Sequence, residues 1–192
     1  MLSEPLLVVA MVAAVLETLG VPYVVGGSLA SSLHGIPRAT QDVDLVAQLR
    51  SGHGERLVAA LEQAFYIDAA AVHNAIHTCG SFNVIHLATM FKADIFVPPE
   101  DPWIESELQR ARIEVLEYEG RAVPVRFASP EDVLLHKLVW FRMGDEVSDR
   151  QWRDVLGVLK VQAEQLDLAY LACWSRHLGV RDLLDRARQE TR

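Results

Sequence analysis

The sequence has few of the features that place a protein in a membrane or in an oxidising compartment. Only two of its 192 residues are cysteines, Cys79 and Cys173, too few for a disulfide framework, which favours a reduced cytoplasmic setting. The apolar run at residues 6–16 is shorter than the roughly 20 residues that cross a bilayer. No lysine or arginine precedes Arg38, so the basic start of a signal peptide is missing. We expect a cytoplasmic protein without a membrane partner.

Positive charge is also scarce. The chain has 18 lysines and arginines against 26 aspartates and glutamates, which gives a net charge of −8. Such a balance argues against a broad surface that coats nucleic acid. Most of the basic residues follow residue 100, so a local basic groove remains compatible with the sequence. With 51% apolar residues, the chain has enough material for a full core.

Two common phosphate-binding signatures are absent, namely the P-loop and the Gly-x-Gly-x-x-Gly dinucleotide motif. Instead, Gly26-Gly27-Ser28 follows the apolar strand predicted at residues 23–25. Glycines allow close approach of the backbone to an anion, and Ser28 is placed to cap a short helix whose free N–H groups attract phosphate. Most such tripeptides are only turns, so this one gains its weight from the acidic strand that comes after it.

Two carboxylates lie on that next predicted strand, residues 42–47. Asp42 and Asp44 are separated by one residue, so both side chains project from the same face of a strand. Adjacent carboxylates repel each other unless a cation lies between them. Mg²⁺ suits oxygen ligands and binds through one or two carboxylates together with substrate phosphates. The alternative is a strand end that carries two solvated acids.

A third carboxylate, Asp94, stands in the middle of the strand predicted at residues 91–97, where aspartate is disfavoured. If this strand lies beside the Asp42 strand, three carboxylates converge. That set can hold two divalent ions about 3.5–4 Å apart, an arrangement suited to phosphoryl displacement. The alternative for Asp94 is an ion pair with Lys92, two residues away on the same face.

The hydrophobic periodicity predicts an α/β (α+β) fold, a mixed sheet flanked by helices with a helical C-terminal region. Residues 1–128 would form the core and residues 129–192 a helical region packed on it. Ser129-Pro130 is a strong helix start. The further expected elements are helices at 4–19, 55–65, 164–177 and 180–190, a helix after Ser148, a hairpin at 81–87 and 91–97, and a weaker strand pair at 113–116 and 122–127.

Segment 23–46 together with Asp94 resembles the DNA polymerase β-type nucleotidyltransferase superfamily, which combines a Gly-Gly/Ser helix start, Asp-x-Asp and a later strand aspartate. Within it, the chain is most similar to small bacterial nucleotidyltransferase-like proteins related to the AbiEii-type toxins. Those proteins often carry a lysine after a Pro-Glu helix start and a later Arg-Asp pair. Here Pro130-Glu131 is followed by Lys137, and Arg153-Asp154 lies on the next helix.

The resemblance implies transfer of a nucleoside monophosphate from an NTP to an acceptor hydroxyl, with release of pyrophosphate. Asp42, Asp44 and Asp94 would be the catalytic and metal-binding residues, holding two Mg²⁺ ions. Gly26, Gly27 and Ser28 would bind the phosphates of the nucleotide. The chemistry would consist mainly of positioning and charge stabilisation.

Three further residues are candidates for nucleotide binding. Lys137 lies among apolar residues of its helix, so it needs an anionic partner, either the triphosphate or Asp154 in a structural salt bridge. Arg38 and Thr40 precede Asp42 in a loop and would contact phosphate or acceptor. For Arg38 the alternative is a solvated loop charge.

The sequence leaves the acceptor open among tRNA, a protein and a small molecule. The alternative function is a catalytically silent nucleotide-binding protein, or a toxin–antitoxin-type interaction protein, of the same fold. Residues 4–19 and the aromatic-rich stretch 140–174 offer surfaces for a homo-oligomer. His73 and His77 followed by Cys79 superficially suggest zinc, but a fourth ligand at a recognisable spacing is lacking and the segment does not predict a helix.

Overall fold

The computed structural model describes residues 3–191. Its strands are β1 (Tyr23–Val25), β2 (Asp42–Ala47), β3 (Phe65–Ile67), β4 (Ser81–His86), β5 (Lys92–Phe96), β6 (Arg112–Tyr118) and β7 (Arg121–Phe127). Its helices are α1 (Glu4–Leu19), α2 (Gly27–His34), α3 (Gly54–Leu61), α4 (Ala69–Thr78), α5 (Pro102–Arg110), α6 (Pro130–Met143), α7 (Asp149–Gln162), α8 (Leu168–His177) and α9 (Arg181–Glu190). The expected α/β class is confirmed.

Within the described residues the strands form a seven-stranded mixed sheet in the order β3-β4-β5-β2-β1-β7-β6. The pairs β2–β5 and β1–β7 are parallel, and the remaining neighbours are antiparallel. The predicted hairpins β4–β5 and β6–β7 are both present. The parallel pairing of β2 with β5 matters most for function, because it brings together two strands whose sequences are far apart.

Alternation along β2 and β5 separates a buried face from a partly exposed face. Val43, Leu45 and Ile95 are fully buried, whereas the acids between them are half-buried. Helix α1 packs against β2, β5, β6 and β7 and buries its own apolar side chains. It ends, as expected, at Gly20, whose φ of 67° is the left-handed conformation that glycine adopts at low cost.

The contacts divide the chain into two compact units. The first contains the sheet and consists of the residues up to Gly26 and Thr40–Phe127. The second, helical unit consists of Gly27–Ala39 and the residues from Ala128 onward, so α2 belongs with α6 to α9. In this unit the Ser129 hydroxyl accepts a hydrogen bond from the Asp132 amide at 3.2 Å and caps α6, as its sequence predicts.

Several elements differ from the prediction. Helix α2 begins at Gly27, so Ser28 lies inside its first turn and the expected cap position is wrong. Helix α3 ends at Leu61, and the short strand β3 follows it, where the sequence favours one longer helix. Helices α4 and α5 are not among the expected elements, although Asp68 and Asp101 cap them with their side chains.

In the described part of the chain, no helix is long and apolar enough to span a bilayer.

Candidate active site

The three carboxylates predicted from the sequence lie on neighbouring strands of the first unit. Asp44 on β2 is the register partner of Asp94 on β5, and Asp42 is the partner of Lys92. Because register partners share a face and adjacent strands lie about 4.8 Å apart, the three acids and Lys92 project from the same side of the sheet. We call these four residues the carboxylate face.

Lys92 is bound to one of these acids. Its Nζ lies 2.6 Å from Oδ2 of Asp94, and the two side chains are 40% and 21% exposed. The hydrogen bond to Asp94 raises the pKa of Lys92, and the charges of Asp42 and Asp44 act in the same direction. The ion pair that the sequence offers as the alternative for Asp94 is therefore formed.

The donor set of the carboxylate face suits a hard divalent cation, because three carboxylates offer only oxygen ligands. Among residues 3–191, however, no three His, Cys, Asp or Glu side chains are gathered so that they could hold a metal ion. The ligand types thus fit Mg²⁺, but the side chains are not gathered around a metal position, and Asp94 is instead paired with Lys92.

Two predicted nucleotide-binding residues support β2 directly. The Thr40 hydroxyl donates to the main-chain oxygen of Asp42 at 2.8 Å and lies 3.4 Å from its Oδ1. The Gly26 amide donates to the main-chain oxygen of Asp44 at 2.9 Å. Gly27, the next residue, has a φ of 57°, which a side chain would disfavour. Both contacts fix the backbone that presents the two acids.

Three other predicted nucleotide-binding residues, Ser28, Arg38 and Lys137, lie in the helical unit around Asp154 of α7. Arg38 donates from Nε to Asp154 Oδ1 and from Nη2 to Oδ2, both at 2.9 Å. The same Nη2 donates to the Ser28 hydroxyl. Arg38 is consequently held in a bidentate ion pair, a geometry that its planar guanidinium favours, rather than lying as a solvated loop charge.

Lys137 of α6 completes this group, which we call the Asp154 cluster (Ser28, Arg38, Lys137 and Asp154). Its Nζ lies 2.8 Å from Asp154 Oδ2, and the two side chains are only 5% and 6% exposed. Burial by itself would raise the pKa of Asp154, but hydrogen bonds from Arg38 and Lys137 outweigh it and hold the pKa below the ordinary aspartate value. Of the two partners proposed for Lys137, the structure contains the salt bridge to Asp154.

Sequence reasoning missed one polar residue beside the acids. Asn83 on β4 is the register partner of Asp94 and is exposed on the same face. The alternation of β4 and the predicted hairpin to β5 are the signals that could have found it, but alternation alone does not set the register of a hairpin. Asn83 and Asp94 are therefore cross-strand neighbours on one face of the sheet.

The histidines have other roles. His34 is buried, and its Nε2 lies 2.8 Å from the main-chain oxygen of Ala128 within the helical unit. His73 and His77 lie on α4 and, with Cys79, line a cleft of about 380 Å³ in the first unit. His73 packs closely on Gly54, where a Cβ would lie 3.2 Å from the imidazole. In the described part of the chain these side chains form no metal-binding group.

No protein-family model and no curated protein matches the chain. Among solved structures, it is similar to an antigenic nucleotidyltransferase-like protein from Paracoccidioides brasiliensis, with a TM-score of 0.52 and 20% identity over 94% of this chain and 89% of the other. It is also similar to ANT(2")-Ia in complex with adenylyl-2"-tobramycin, with a TM-score of 0.53 and 16% identity over 88% and 97%. At these identities the likeness establishes a nucleotidyltransferase-like fold.

Proposed function

We propose that the protein is a Mg²⁺-dependent nucleotidyltransferase that moves a nucleoside monophosphate from an NTP to an acceptor hydroxyl and releases pyrophosphate. The observation that carries this proposal is the register of β2 and β5, which sets Asp44 opposite Asp94 and Asp42 on the same face. This face occurs within a nucleotidyltransferase-like fold. The finer resemblance to AbiEii-type toxins remains a prediction.

Asp42, Asp44 and Asp94 would hold two Mg²⁺ ions, whose contribution is to neutralise charge on the phosphates and on the attacking and leaving oxygens. The chain's own residues position these acids. Thr40 and Gly26 fix the β2 backbone through the hydrogen bonds described above. Gly27 and Ser28, at the start of α2, would supply main-chain N–H groups to phosphate oxygens.

Arg38 and Lys137 remain proposed phosphate-binding residues, but their contacts give them a structural role as well. Both cations share the single carboxylate of Asp154. Asp154 therefore fixes the orientation of the two side chains before any anion arrives, which lowers the entropic cost of binding one.

The decisive experiment incubates the protein with each of the four NTPs, labelled at the α-phosphate, and Mg²⁺. Parallel reactions contain an aminoglycoside such as tobramycin, tRNA, or a protein extract as acceptor, and pyrophosphate release and label transfer are measured. Asp44→Asn is expected to lower transfer at least about a hundredfold, because charge stabilisation in the transition state is lost. Glu62→Gln, at an exposed acid just after α3, is the matched control. If label transfer is unchanged in Asp44→Asn, the assignment of Asp44 as a catalytic residue is wrong.

A second candidate is a protein of the same fold that binds nucleotide without turnover, or a toxin–antitoxin-type interaction protein. The ion pair between Lys92 and Asp94 favours nucleotide binding without turnover, since Asp94 is already engaged. Calorimetry with a non-hydrolysable NTP measures binding, and the label-transfer assay above measures turnover. Binding without label transfer to any acceptor supports the second function.

Sedimentation of the same samples measures whether the chain is a homo-oligomer.

A further inference from the structure

Lys92 is the cation that the chain itself places on the carboxylate face. Its register partner on β2 is Asp42, and Asp94 follows it by two residues on the same strand. Its ion pair is with Asp94, with 2.6 Å between Nζ and Oδ2. The Lys92 side chain is 40% exposed, so solvent and ligands can reach it.

Without a cation, the three acids would repel one another, because like charges opposite each other on neighbouring strands are destabilising. The ammonium of Lys92 carries the opposite charge and binds an oxygen of Asp94. A divalent cation that bound Asp94 would take that same oxygen or its neighbour in the carboxylate. The ammonium and the metal ion therefore compete for Asp94.

We propose that Lys92 is the resident counter-ion of the carboxylate face and that a divalent cation binds Asp94 only in exchange for the Lys92–Asp94 ion pair. The inference rests on the proposed function and deepens it, because it makes Lys92 a positioning residue that sets the metal affinity. Divalent ions alone then bind weakly, since the exchange opposes them.

The test titrates Mn²⁺ alone, without nucleotide, into the full chain. Binding is followed by calorimetry and by the electron paramagnetic resonance signal of free Mn²⁺. Lys92→Met is expected to bind Mn²⁺ about fivefold more tightly than the wild type, in line with the loss of one partly exposed competing ion pair. Lys92→Arg keeps the competing charge and should bind like the wild type. Lys92→Gln serves as a second neutral variant if Lys92→Met does not fold.

The matched control is Lys160→Met, which removes a lysine that is exposed on α7. It changes the net charge of the chain by the same amount and should leave Mn²⁺ affinity unchanged, so a gain in both lysine variants would overturn the inference. Asp94→Asn should abolish the gain in the Lys92→Met background.

Failure of this inference is distinguishable from failure of the proposed function. If Asp44→Asn loses Mn²⁺ while Lys92→Met binds it no more tightly than the wild type, the metal site stands and the counter-ion role is overturned. If neither the wild type nor Lys92→Met binds Mn²⁺, the inference falls together with the metal-dependent function. Thermal unfolding in EDTA and in Mn²⁺ gives an activity-free readout, with a larger Mn²⁺-induced rise in Tm expected for Lys92→Met.

Discussion

Asp154 accepts hydrogen bonds from two cations at a place where its own side chain is 6% exposed and that of Lys137 is 5% exposed. Asp154→Asn keeps the size of the side chain and removes its charge, which leaves the buried ammonium of Lys137 without its carboxylate. We expect the free energy of unfolding to fall by about 3 kcal/mol, the magnitude typical of breaking a buried pair. Urea unfolding at pH 7 measures it. Glu164→Gln, an exposed acid of the same unit, should change it by less than about 0.5 kcal/mol.

The same variant has a defined pH dependence. The pKa of Asp154 in the folded state lies below its ordinary value, which for aspartate is about 3.9. Its contribution to stability is thus fully present above about pH 5 and is lost as the pH falls through the lower folded-state pKa. The stability difference between wild type and Asp154→Asn should be constant from about pH 7 to 5 and shrink below about pH 4. A difference that stays constant down to about pH 3 would contradict the role of this charge.

At the scale of single elements, α2 and α7 approach closely at a glycine. A Cβ added to Gly35 would lie 2.9 Å from the main-chain oxygen of Ser31 and 2.9 Å from the amide nitrogen of Val158. The Val158 nitrogen belongs to the backbone of α7, so the two helices would have to move apart, whereas the Ser31 oxygen belongs to the last turn of α2 itself. We expect Gly35→Ala to lower the free energy of unfolding by about 2 kcal/mol through overpacking, as measured by urea unfolding.

Gly52 provides the control for this prediction. A Cβ at Gly52 meets nothing within 4 Å, and the residue lies in the short turn Ser51–His53 that precedes α3. Gly52→Ala should therefore change stability by no more than about 0.5 kcal/mol. Equal losses in both variants would mean that the close approach at Gly35 is not the cause.

The elements that the sequence predicts well are those with local signals. Helix α1 has an apolar run closed by Gly20, and α6 begins at Ser129-Pro130, so the sequence locates both of these ends closely. Helix α4 is not predicted because its apolar stripe is weak, which leaves the cap at Asp68 as the local signal. Helix α5 is not predicted either, although Asp101 caps it.

Pairings between distant segments are not predicted by local patterns. Alternation along β2 and β5 predicts which face each acid occupies, but only the folded sheet sets Asp44 opposite Asp94. Likewise Arg38 and Asp154 are separated by 116 positions, and no local pattern links them. The candidate site is thus predictable in its residue types and faces, whereas its ion pairs depend on register and helix packing.

For the whole molecule, the sign of the charge determines how a nucleotide can bind. The chain carries a net charge of −8, and three of its acids lie on the carboxylate face at the proposed site. A triphosphate is itself an anion, so Coulomb repulsion opposes its approach unless a divalent cation accompanies it. We therefore expect binding of a non-hydrolysable ATP analogue to require Mg²⁺ and to be lost in EDTA.

Thermal unfolding measures this linkage without any turnover. A ligand at about a hundred times its Kd stabilises the folded state by about 2.7 kcal/mol, which for a chain of this size raises Tm by about 5–10 °C. The rise should appear with Mg²⁺ and analogue together, vanish with EDTA, persist in Glu62→Gln and be lost in Asp44→Asn. An equal rise in EDTA would contradict the metal dependence, because the analogue would then bind through cations of the chain alone. The carboxylate face would in that case serve another purpose than nucleotide binding.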